Sequence, residues 1–340
     1  MTTLQRVAER AGVSTATVSK VLSNTPYFTE ETRRKVMEAV EELGYVPNLA
    51  ARALSSGRTH IIAVVFPQIF DAIFTDPFML HLLEGVEAEC HKQGYNMLMS
   101  TPRLSSQGFD AHYQQLIQSG YADGIVALDN IPARSVLQIA HERELPAVGI
   151  GYHDNKYHVR SDDISGATQI MQHVLELGHR QIGIISVAEE LNFSVRRRLN
   201  GLRSTAEKFN MDFNAFPQAE GDFSINSGAR AAGELLNTHP EITAVICLND
   251  RMAMGAIQQA RALGRSIPEN LTIVGYDDIP SAAVFAPPLT TINQQAPEIG
   301  RAATRMLFEV IDGGNPHPVN VPPVLIVRQS SAPPLESPRA

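Results

Sequence analysis

This sequence of 340 residues lacks tryptophan, long apolar runs and paired cysteines. Its longest apolar run, Ile61 to Phe66, has six residues, whereas a membrane-spanning helix needs roughly 18. Residues 1–12 have no apolar stretch typical of a signal peptide. Cys90 and Cys247 show no CxxC spacing, so neither a disulfide framework nor a zinc site is expected. We therefore expect a soluble protein of the reducing cytoplasm, without a membrane segment.

The motifs of common catalytic sites are also missing. GxxxxGK, GxSxG and HExxH do not occur, no GxGxxG lies between a strand and a helix, and no two of the 11 histidines are spaced i, i+4. Asp277 and Asp278 are adjacent, and neighbouring residues that leave a strand point in opposite directions, so they do not form an acid–base pair. We expect no enzyme activity, no metal site and no cofactor.

The composition is that of a folded chain with more than one domain. Hydrophobic residues make up 44% of it and charged residues 19%, and 340 residues correspond to two or three domains of about 150 residues each. Residues 1–58 contain eight Lys and Arg against six Glu, a net charge of +2, while the remainder contains 20 basic and 30 acidic residues, a net charge of −10. A small basic head therefore precedes an acidic body.

Three short amphipathic helices are predicted in the head. The first ends at Gly12, the second is capped by Ser14, and the third lies between Thr29 and Gly44. The tight turn between the first two helices has the spacing of a helix-turn-helix. Periodicity alone favours a generic three-helix bundle as much as it favours a helix-turn-helix.

Particular residues distinguish these two alternatives. The runs VAERAGVSTATVSKVL at 7–22 and ELGYVPN at 42–48 resemble, nearly position for position, the head of the lactose and galactose repressor family of bacterial transcriptional regulators. The resemblance extends to GHRQI at 178–182, NDRMAMG at 249–255, VGYDD at 274–278 and PLTTI at 288–292. It therefore covers almost the whole chain.

The resemblance implies that the second helix lies in the major groove of DNA and that its N-terminal side chains read bases. By position these are Thr15, Ala16 and Lys20. Ala16 can only contact a thymine methyl group, whereas Lys20 can donate to guanine. Further DNA contacts, mainly to phosphates, are expected from Ser14, Thr17, Ser19, Ser23, Tyr27 and Thr29. Helix capping and solvation are the alternative roles of these hydroxyl groups.

We expect the head to span residues 1–47, followed by a hinge helix and linker at 48–58. The hinge is alanine-rich but too short to be helical alone in water. The resemblance implies that it pairs with its two-fold mate in the minor groove, where Leu54 would wedge between central base pairs. The alternative is a linker helix packed on the body.

The body, residues 60–330, shows strand–helix alternation. Apolar runs and amphipathic stretches form two similar cycles, from Ile61 to Ile150 and from Ile164 to Tyr276. This pattern predicts an α/β body of two parallel-sheet lobes with a cleft between them. The resemblance implies a periplasmic-binding-protein-like body beside the all-α helix-turn-helix head and hinge helix. A final helix at 297–311 and a strand at 324 indicate that the chain crosses back between the lobes.

Residues 331–340 are predicted to be a flexible tail. This tail has no heptad repeat, so no coiled-coil tetramer seam is encoded and a homodimer is expected.

The resemblance also implies a small effector bound in the cleft. Asn249 and Asp277 follow strands at their carboxyl ends, where ligands bind in open parallel sheets. The matched positions are Phe78, Asn192, Ser194, Arg198, Phe223, Asn249, Asp277 and Gln294. The asparagines can both donate and accept, and Phe223 can stack on a sugar or a base. As alternatives, Arg198 could be solvated, Asp277 could cap the next turn, and Phe78 could be a core residue.

These inferences predict a sequence-specific DNA-binding transcriptional regulator. We expect a repressor that binds a palindromic operator as a homodimer, under allosteric control by a carbohydrate effector, a sugar or sugar derivative. A purine- or nucleoside-responsive repressor is one alternative, although purine-binding members of the family tend to carry an arginine where Asn192 stands. A sugar-binding protein without a DNA-binding role is another, which the head disfavours. A sugar-cleaving hydrolase would need an acidic cluster where Pro67 and Gln68 stand.

Overall fold

A computed structural model gives the structure of the chain, which divides into two compact units, residues 1–60 and 61–340. We call the second unit the body. The structure describes residues 3–22, 27–46, 53, 57–66, 73–101, 104–105, 108–109, 117, 119–128, 136–151, 156–188 and 192–335.

The first unit contains the three predicted helices, α1 (Leu4–Ala11), α2 (Thr15–Leu22) and α3 (Glu30–Glu42). Gly12 ends α1 in the left-handed conformation, with φ at 69°, which glycine adopts without a steric penalty. Val7, Val18 and Val36 are fully buried or nearly so, one from each helix. The helical periodicity of the sequence therefore builds a single small core.

The body alternates strands and helices along the chain. Its described strands are β1 (Ile61–Val65), β2 (Asn96–Ser100), β3 (Leu104–Ser105), β4 (Gly108–Phe109), β5 (Gly124–Leu128), β6 (Ala147–Ile150), β7 (His158–Ser161), β8 (Ile182–Ser186), β9 (Gln218–Glu220), β10 (Ala244–Cys247), β11 (Thr272–Val274), β12 (Thr291–Asn293), β13 (Val319–Val321) and β14 (Val324–Ile326). Its described helices are α4 (Pro77–Lys92), α5 (Val136–Glu142), α6 (Asp163–Glu176), α7 (Phe193–Lys208), α8 (Ile225–Thr238), α9 (Asp250–Ala262), α10 (Pro280–Val284) and α11 (Ala296–Ile311).

Two parallel sheets define two lobes. The first lobe has the strand order β13-β7-β6-β5-β1-β2, and the second has the order β11-β10-β8-β9. All neighbours within these two sheets are parallel. The predicted fold class is confirmed. The short strands β7, β9 and β13 were not predicted, because three or four residues are too few to show a periodic pattern.

The chain crosses between the lobes after β12, as predicted. Ala303 and Leu307 of α11 belong to the core of the first lobe, and β13 adds to that lobe's sheet beside β7. β14 then pairs antiparallel with β12. Residues 110–118, where the alternation of the first cycle places a helix, lie outside the described residues apart from Ile117, which is helical.

The segment after β14 packs against the second lobe. The Ser330 carbonyl accepts from the Ile273 N–H of β11 at 2.9 Å, and the Ser330 hydroxyl donates to the Ile273 carbonyl at 2.5 Å. The buried His179 ring lies between Thr243 and the carbonyl of Ala332, at 2.9 Å from each. Ser331 Oγ also lies 3.0 Å from His173 Nε2, so residues 331 and 332, which the sequence assigned to the tail, are hydrogen-bonded to the second lobe.

Closely packed helices meet at glycines in both lobes. In the second lobe, a Cβ atom at Gly228 of α8 would lie 2.2 Å from the Met252 carbonyl oxygen of α9. In the first lobe, a Cβ atom at Gly300 of α11 would lie 2.2 Å from the Leu82 carbonyl oxygen of α4. Any side chain at these positions would push two backbones apart.

We predict that Gly228→Ala lowers the free energy of unfolding by about 1–3 kcal/mol or more, because the opposing atoms belong to the backbone. Gly233→Ala is the matched control on α8, since its nearest neighbour is the flexible Gln259 side chain at 3.2 Å. That variant should be neutral or gain up to about 1 kcal/mol of helix propensity. Urea unfolding measures both, and equal destabilisation would contradict the packing argument.

Candidate functional site

A buried guanidinium group lies at the carboxyl-terminal edge of the second lobe's sheet. Arg198 of α7 is 6% exposed. Its Nε donates to Asp163 at 2.8 Å and its Nη1 donates to the Leu248 carbonyl at 2.6 Å. The guanidinium carbon also lies 3.7 Å from the centre of the Tyr276 ring. The alternative of a solvated surface arginine is therefore wrong for Arg198.

Asp277 faces this guanidinium group from the loop after β11. Its Oδ1 lies 3.9 Å from Arg198 Nη1 and accepts a hydrogen bond of 2.6 Å from Gln294 Nε2. The capping alternative fails, because α10 follows Ile279 without a side-chain capping bond. Three predicted ligand contacts, Arg198, Asp277 and Gln294, thus form one connected group.

The neighbouring carboxylate has different partners. Asp278 Oδ1 accepts from Arg328 at 2.6 Å, and its Oδ2 accepts from Asn293 at 2.9 Å. Asp277 and Asp278 therefore point to different groups, as the sequence analysis expected, and do not form an acid–base pair.

Carboxylates from both lobes interact at this site. Burial raises the pKa of Asp277 well above its ordinary value, against the opposing charge of Arg198, and the charges of Asp250 and Asp76 raise it further. Asp76 caps α4 in the first lobe by accepting from the Phe78 N–H at 3.0 Å. Burial also raises the pKa of Asp76. The start of α4 and the Asp277 loop are thus close enough for their carboxyl groups to influence each other.

Two asparagines begin helices at the same edge of the second lobe. Asn192 Oδ1 accepts from the Ser194 N–H at 2.9 Å, and Asn249 Oδ1 accepts from the Met252 N–H at 2.8 Å. Asn249 also donates to the Phe223 carbonyl at 3.1 Å. Both side-chain oxygens serve as N-caps, and the Asn249 amide also donates within the protein, so the predicted donor and acceptor roles toward a ligand stay predictions.

The two predicted aromatic contacts lie at the edges of the cores. Phe78 is partly buried and packs against the cores of both lobes, so its alternative role as a core residue has support. Phe223 is partly buried against the second core and has a positive φ of 67°. Ser194 is partly buried in the first turn of α7.

Sequence reasoning missed four polar members of this site, Asp76, Asp163, Asp250 and Tyr276. Asp163 begins α6 and Asp76 caps α4. Both helices follow strands at the carboxyl edge of a sheet, where ligands bind, so this position could have marked the two residues as candidates. Asp250 follows Asn249 directly, and Tyr276 precedes Asp277. Their roles depend on contacts between distant segments, which spacing does not encode.

Helix α2 of the first unit presents the predicted base-reading side chains. Thr15, Ala16 and Lys20 are exposed, while Val18 and Val21 are buried. The buried valines face the core, so the exposed residues lie on the opposite side of the helix. This arrangement leaves the N-terminal part of α2 available to a DNA groove.

Several predicted phosphate contacts have capping roles. Ser14 Oγ accepts from the Thr17 N–H at 3.1 Å and lies 2.9 Å from Thr17 Oγ1, while Thr29 caps α3. Tyr27 is 89% exposed, which suits a contact with a partner. Ser19 is partly buried, and Ser23 and Leu54 lie outside the described residues.

Within the part of the chain that the structure describes, no cluster of three or more His, Cys, Asp or Glu residues could hold a metal ion. None of the described helices has both the length and the apolar character that a membrane crossing requires.

Two parts of the chain each match a known domain family. Residues 3–48 match the bacterial regulatory proteins of the lacI family, and residues 171–331 match the periplasmic binding protein-like domain. The HTH-type transcriptional repressor PurR of Aliivibrio salmonicida is 32% identical, with 92% of each chain covered. The HTH-type transcriptional regulator CelR of Thermobifida fusca is 32% identical, with 94% of each chain covered.

Solved structures show the same architecture. The structure of a CelR–cellobiose complex is 30% identical, with 97% of this chain and 100% of that chain covered and a TM-score of 0.73. A lac repressor dimer bound to operator and the anti-inducer ONPF has a TM-score of 0.84, with 97% of this chain and 99% of that chain covered. Its identity of 23% supports the fold alone.

The site geometry predicts opposite effects for two adjacent substitutions. A raised pKa means that the protonated form of Asp277 stabilises the fold at low pH and that this contribution is lost as pH rises through the folded-state pKa. Asp277→Asn should therefore be at least as stable as the wild type at pH 8, with the difference shrinking toward pH 5.

Asp278→Asn is the matched control, because it weakens the bonds to Arg328 and Asn293. It should lose about 1–3 kcal/mol at pH 8. Urea unfolding at both pH values tests the pair, and a less stable Asp277→Asn at pH 8 would contradict the electrostatic argument.

Proposed function

The chain belongs to the lacI family of bacterial regulatory proteins, and from this premise we propose that it represses transcription by binding a palindromic operator as a homodimer. It is a DNA-binding transcriptional regulator with an effector-binding domain. The proposed units are the head at 1–47, the hinge at 48–58 and the effector-binding body at 60–330. A small molecule bound between the lobes sets the affinity for the operator.

The DNA-binding proposal rests on α2. Thr15, Ala16 and Lys20 are exposed beside a buried valine face, the arrangement of a recognition helix in a major groove. Tyr27, Ser19 and Ser23 would add contacts to the backbone of the DNA. A two-fold dimer presents two such helices, as in the operator-bound lac repressor dimer, and therefore requires a palindromic operator. Leu54 remains the proposed minor-groove wedge.

The effector proposal rests on one observation, the buried group of Arg198, Asp277 and Gln294 at the edge where the lobes meet. A guanidinium group offers donors in a plane, a carboxylate accepts from hydroxyl groups, and the asparagine amides donate. Partly buried Phe78 and Phe223 supply apolar faces. This lining suits a neutral molecule with several hydroxyl groups, and cellobiose occupies the related CelR structure. We therefore propose a carbohydrate effector.

A purine or nucleoside effector is the second candidate, because the 32% identical relative from Aliivibrio salmonicida is the repressor PurR. Asn192 argues against it, since its oxygen is committed to capping α7 and its amide lacks the fork of donors that an arginine offers.

The proposal includes no catalytic step, since the matched relatives are named as transcriptional regulators. Because the operator is genomic DNA, the proposed place of action is the bacterial cytoplasm.

The DNA-binding half is tested by Lys20→Ala. Selection of double-stranded DNA from a random pool first defines the preferred site, which should be a palindrome. The variant should bind that site about 5- to 150-fold more weakly and lose discrimination at the contacted base pair, because a good side-chain–base contact contributes about 1–3 kcal/mol. Fluorescence anisotropy measures the change.

Lys35→Ala is the matched control, because Lys35 is an exposed lysine of the same unit that pairs with Glu31 on α3 at 2.8 Å. It should retain the wild-type sequence preference. Selection without any enriched palindrome, or identical losses in the two variants, would refute the assignment of α2.

The effector half is tested by thermal shift against monosaccharides, disaccharides, sugar phosphates, nucleosides and purine bases. A ligand at about 100 times its dissociation constant adds about 2.7 kcal/mol of stability. We expect a neutral sugar to raise the melting temperature of the wild type and of the exposed control Glu234→Gln, but not of Asp277→Asn. A purine hit would replace the carbohydrate proposal, and a sugar response that survives in Asp277→Asn would place the effector elsewhere.

A further inference from the structure

A second carboxylate, that of Asp250, is bonded to the loop that carries Asp277. Asp250, the first residue of α9, is fully buried. Its Oδ2 accepts from the Ile279 N–H at 2.9 Å, and its Oδ1 accepts from the Thr291 hydroxyl at 2.5 Å. Its own N–H donates to the Tyr276 carbonyl at 2.8 Å. The carboxylate does not cap α9, because Asn249 does so.

These bonds join three segments that carry candidate effector contacts. Asn249 precedes Asp250 on α9, Asp277 lies between Tyr276 and Ile279 in the loop, and Gln294 lies just after the strand that begins with Thr291. The loop also approaches the carboxylate closely, since a Cβ atom at Gly275 would lie 2.2 Å from Asp250 Oδ1. Asp250 therefore belongs to one of the three segments and is hydrogen-bonded to the other two.

The loop and the strand are also bonded to each other. The Asp277 N–H donates to the Ile292 carbonyl at 2.9 Å, and Asn293 donates to Asp278 at 2.9 Å. With the Gln294 bond to Asp277, these contacts make residues 275–279 and 291–294 a single unit. Asp250 holds that unit against the second lobe.

The strand side of this unit leads into the first lobe. After Gln294, Gln295 adopts a left-handed conformation with φ at 57°, and α11 begins at Ala296. α11 then packs on α4, where Gly300 meets the Leu82 backbone. The position of β12 relative to Asp250 thus affects both the effector contacts and the connection between the lobes.

Several charged or titratable groups surround this carboxylate. Burial raises the pKa of Asp250 to about 7, although the hydrogen bonds from Thr291 and Ile279 lower it. The charge of Asp278 raises this pKa, and the charge of Arg328 lowers it. Asp277 is also close enough for Asp250 to raise its pKa, and the Asp250 charge raises the pKa of Cys247 on β10. Asp250 therefore holds a proton more readily than an exposed aspartate does.

We propose that Asp250 is a positioning residue of the effector site, which fixes the Asp277 loop and the crossover strand against α9 so that effector contact and lobe connection change together. This inference rests on the proposed effector site, because it assigns Asp277 and Gln294 to ligand binding. Asp250 acts through these two residues and does not itself touch the effector.

Hydrogen exchange of the full chain, followed by mass spectrometry, tests the proposal without effector or DNA. Asp250→Ala removes both acceptors and should speed exchange at least about tenfold in peptides covering 274–280 and 289–295 together. Asp250→Asn keeps one acceptor for the Ile279 N–H and one donor toward Thr291, so it should stay within about threefold of the wild type. Glu234→Gln, an exposed carboxylate of the same lobe, should match the wild type.

The pH profile separates positioning by this carboxylate from a general packing role. Local opening of the two peptides exposes Asp250 to water and returns its pKa to the ordinary value. Between the two pKa values, Asp250 is therefore protonated in the closed state and ionised in the open state. Protection of both peptides, corrected for intrinsic exchange, should fall as pH rises from 5 to about 7 and then level off. Asp250→Asn should show no such change.

If Asp250→Ala does not fold, Thr291→Val replaces it, since it removes one bond to the carboxylate at nearly constant volume. It should loosen both peptides together. Exchange that rises in only one peptide, or a pH profile of Asp250→Asn parallel to that of the wild type, would overturn the proposal. The exchange measurement uses neither sugar nor operator. A result that overturns the role of Asp250 would therefore not affect the proposed function. Conversely, a failed effector screen would not affect the interpretation of the exchange data.

Discussion

The buried guanidinium group of Arg198 is the constraint on which the candidate site depends. A charge removed from water is tolerated only when it is paired and hydrogen-bonded. Asp163 and the Leu248 carbonyl meet that need at 2.8 and 2.6 Å, which ties α6, α7 and the end of β10 together. Asp277 lies farther from the guanidinium group, at 3.9 Å, and is the member of the group to which the proposed function assigns a contact with the effector.

Close backbone packing surrounds this charged group. Glycines let α4 meet α11 in the first lobe and α8 meet α9 in the second, with carbonyl oxygens where a Cβ atom would stand. Protein cores of this density transmit small displacements because they deform little. The Asp277 loop is bonded to β12, which leads directly into α11, so the proposed coupling between the lobes would follow this strand.

The sequence predicted the fold class, because helical and strand periodicity repeat in two long cycles. It placed Arg198, Asp277 and Gln294 in one site through the family resemblance, and the structure brings these three residues into contact. It did not identify Asp163 or Asp250, whose partners lie 35 and 41 residues away in the chain. It did not identify the N-cap roles of Asn192 and Asn249, because these roles depend on where each helix begins.

The central claim is that a small molecule at Arg198 and Asp277 changes the affinity of α2 for its operator. Operator titration with and without the compound that gives the largest thermal shift tests it most directly. We predict a change in operator affinity of about 5- to 150-fold for the wild type, which corresponds to the usual allosteric coupling of about 1–3 kcal/mol, and no change for Asp277→Asn. Unchanged operator affinity in a wild-type protein that still binds the compound would contradict the account.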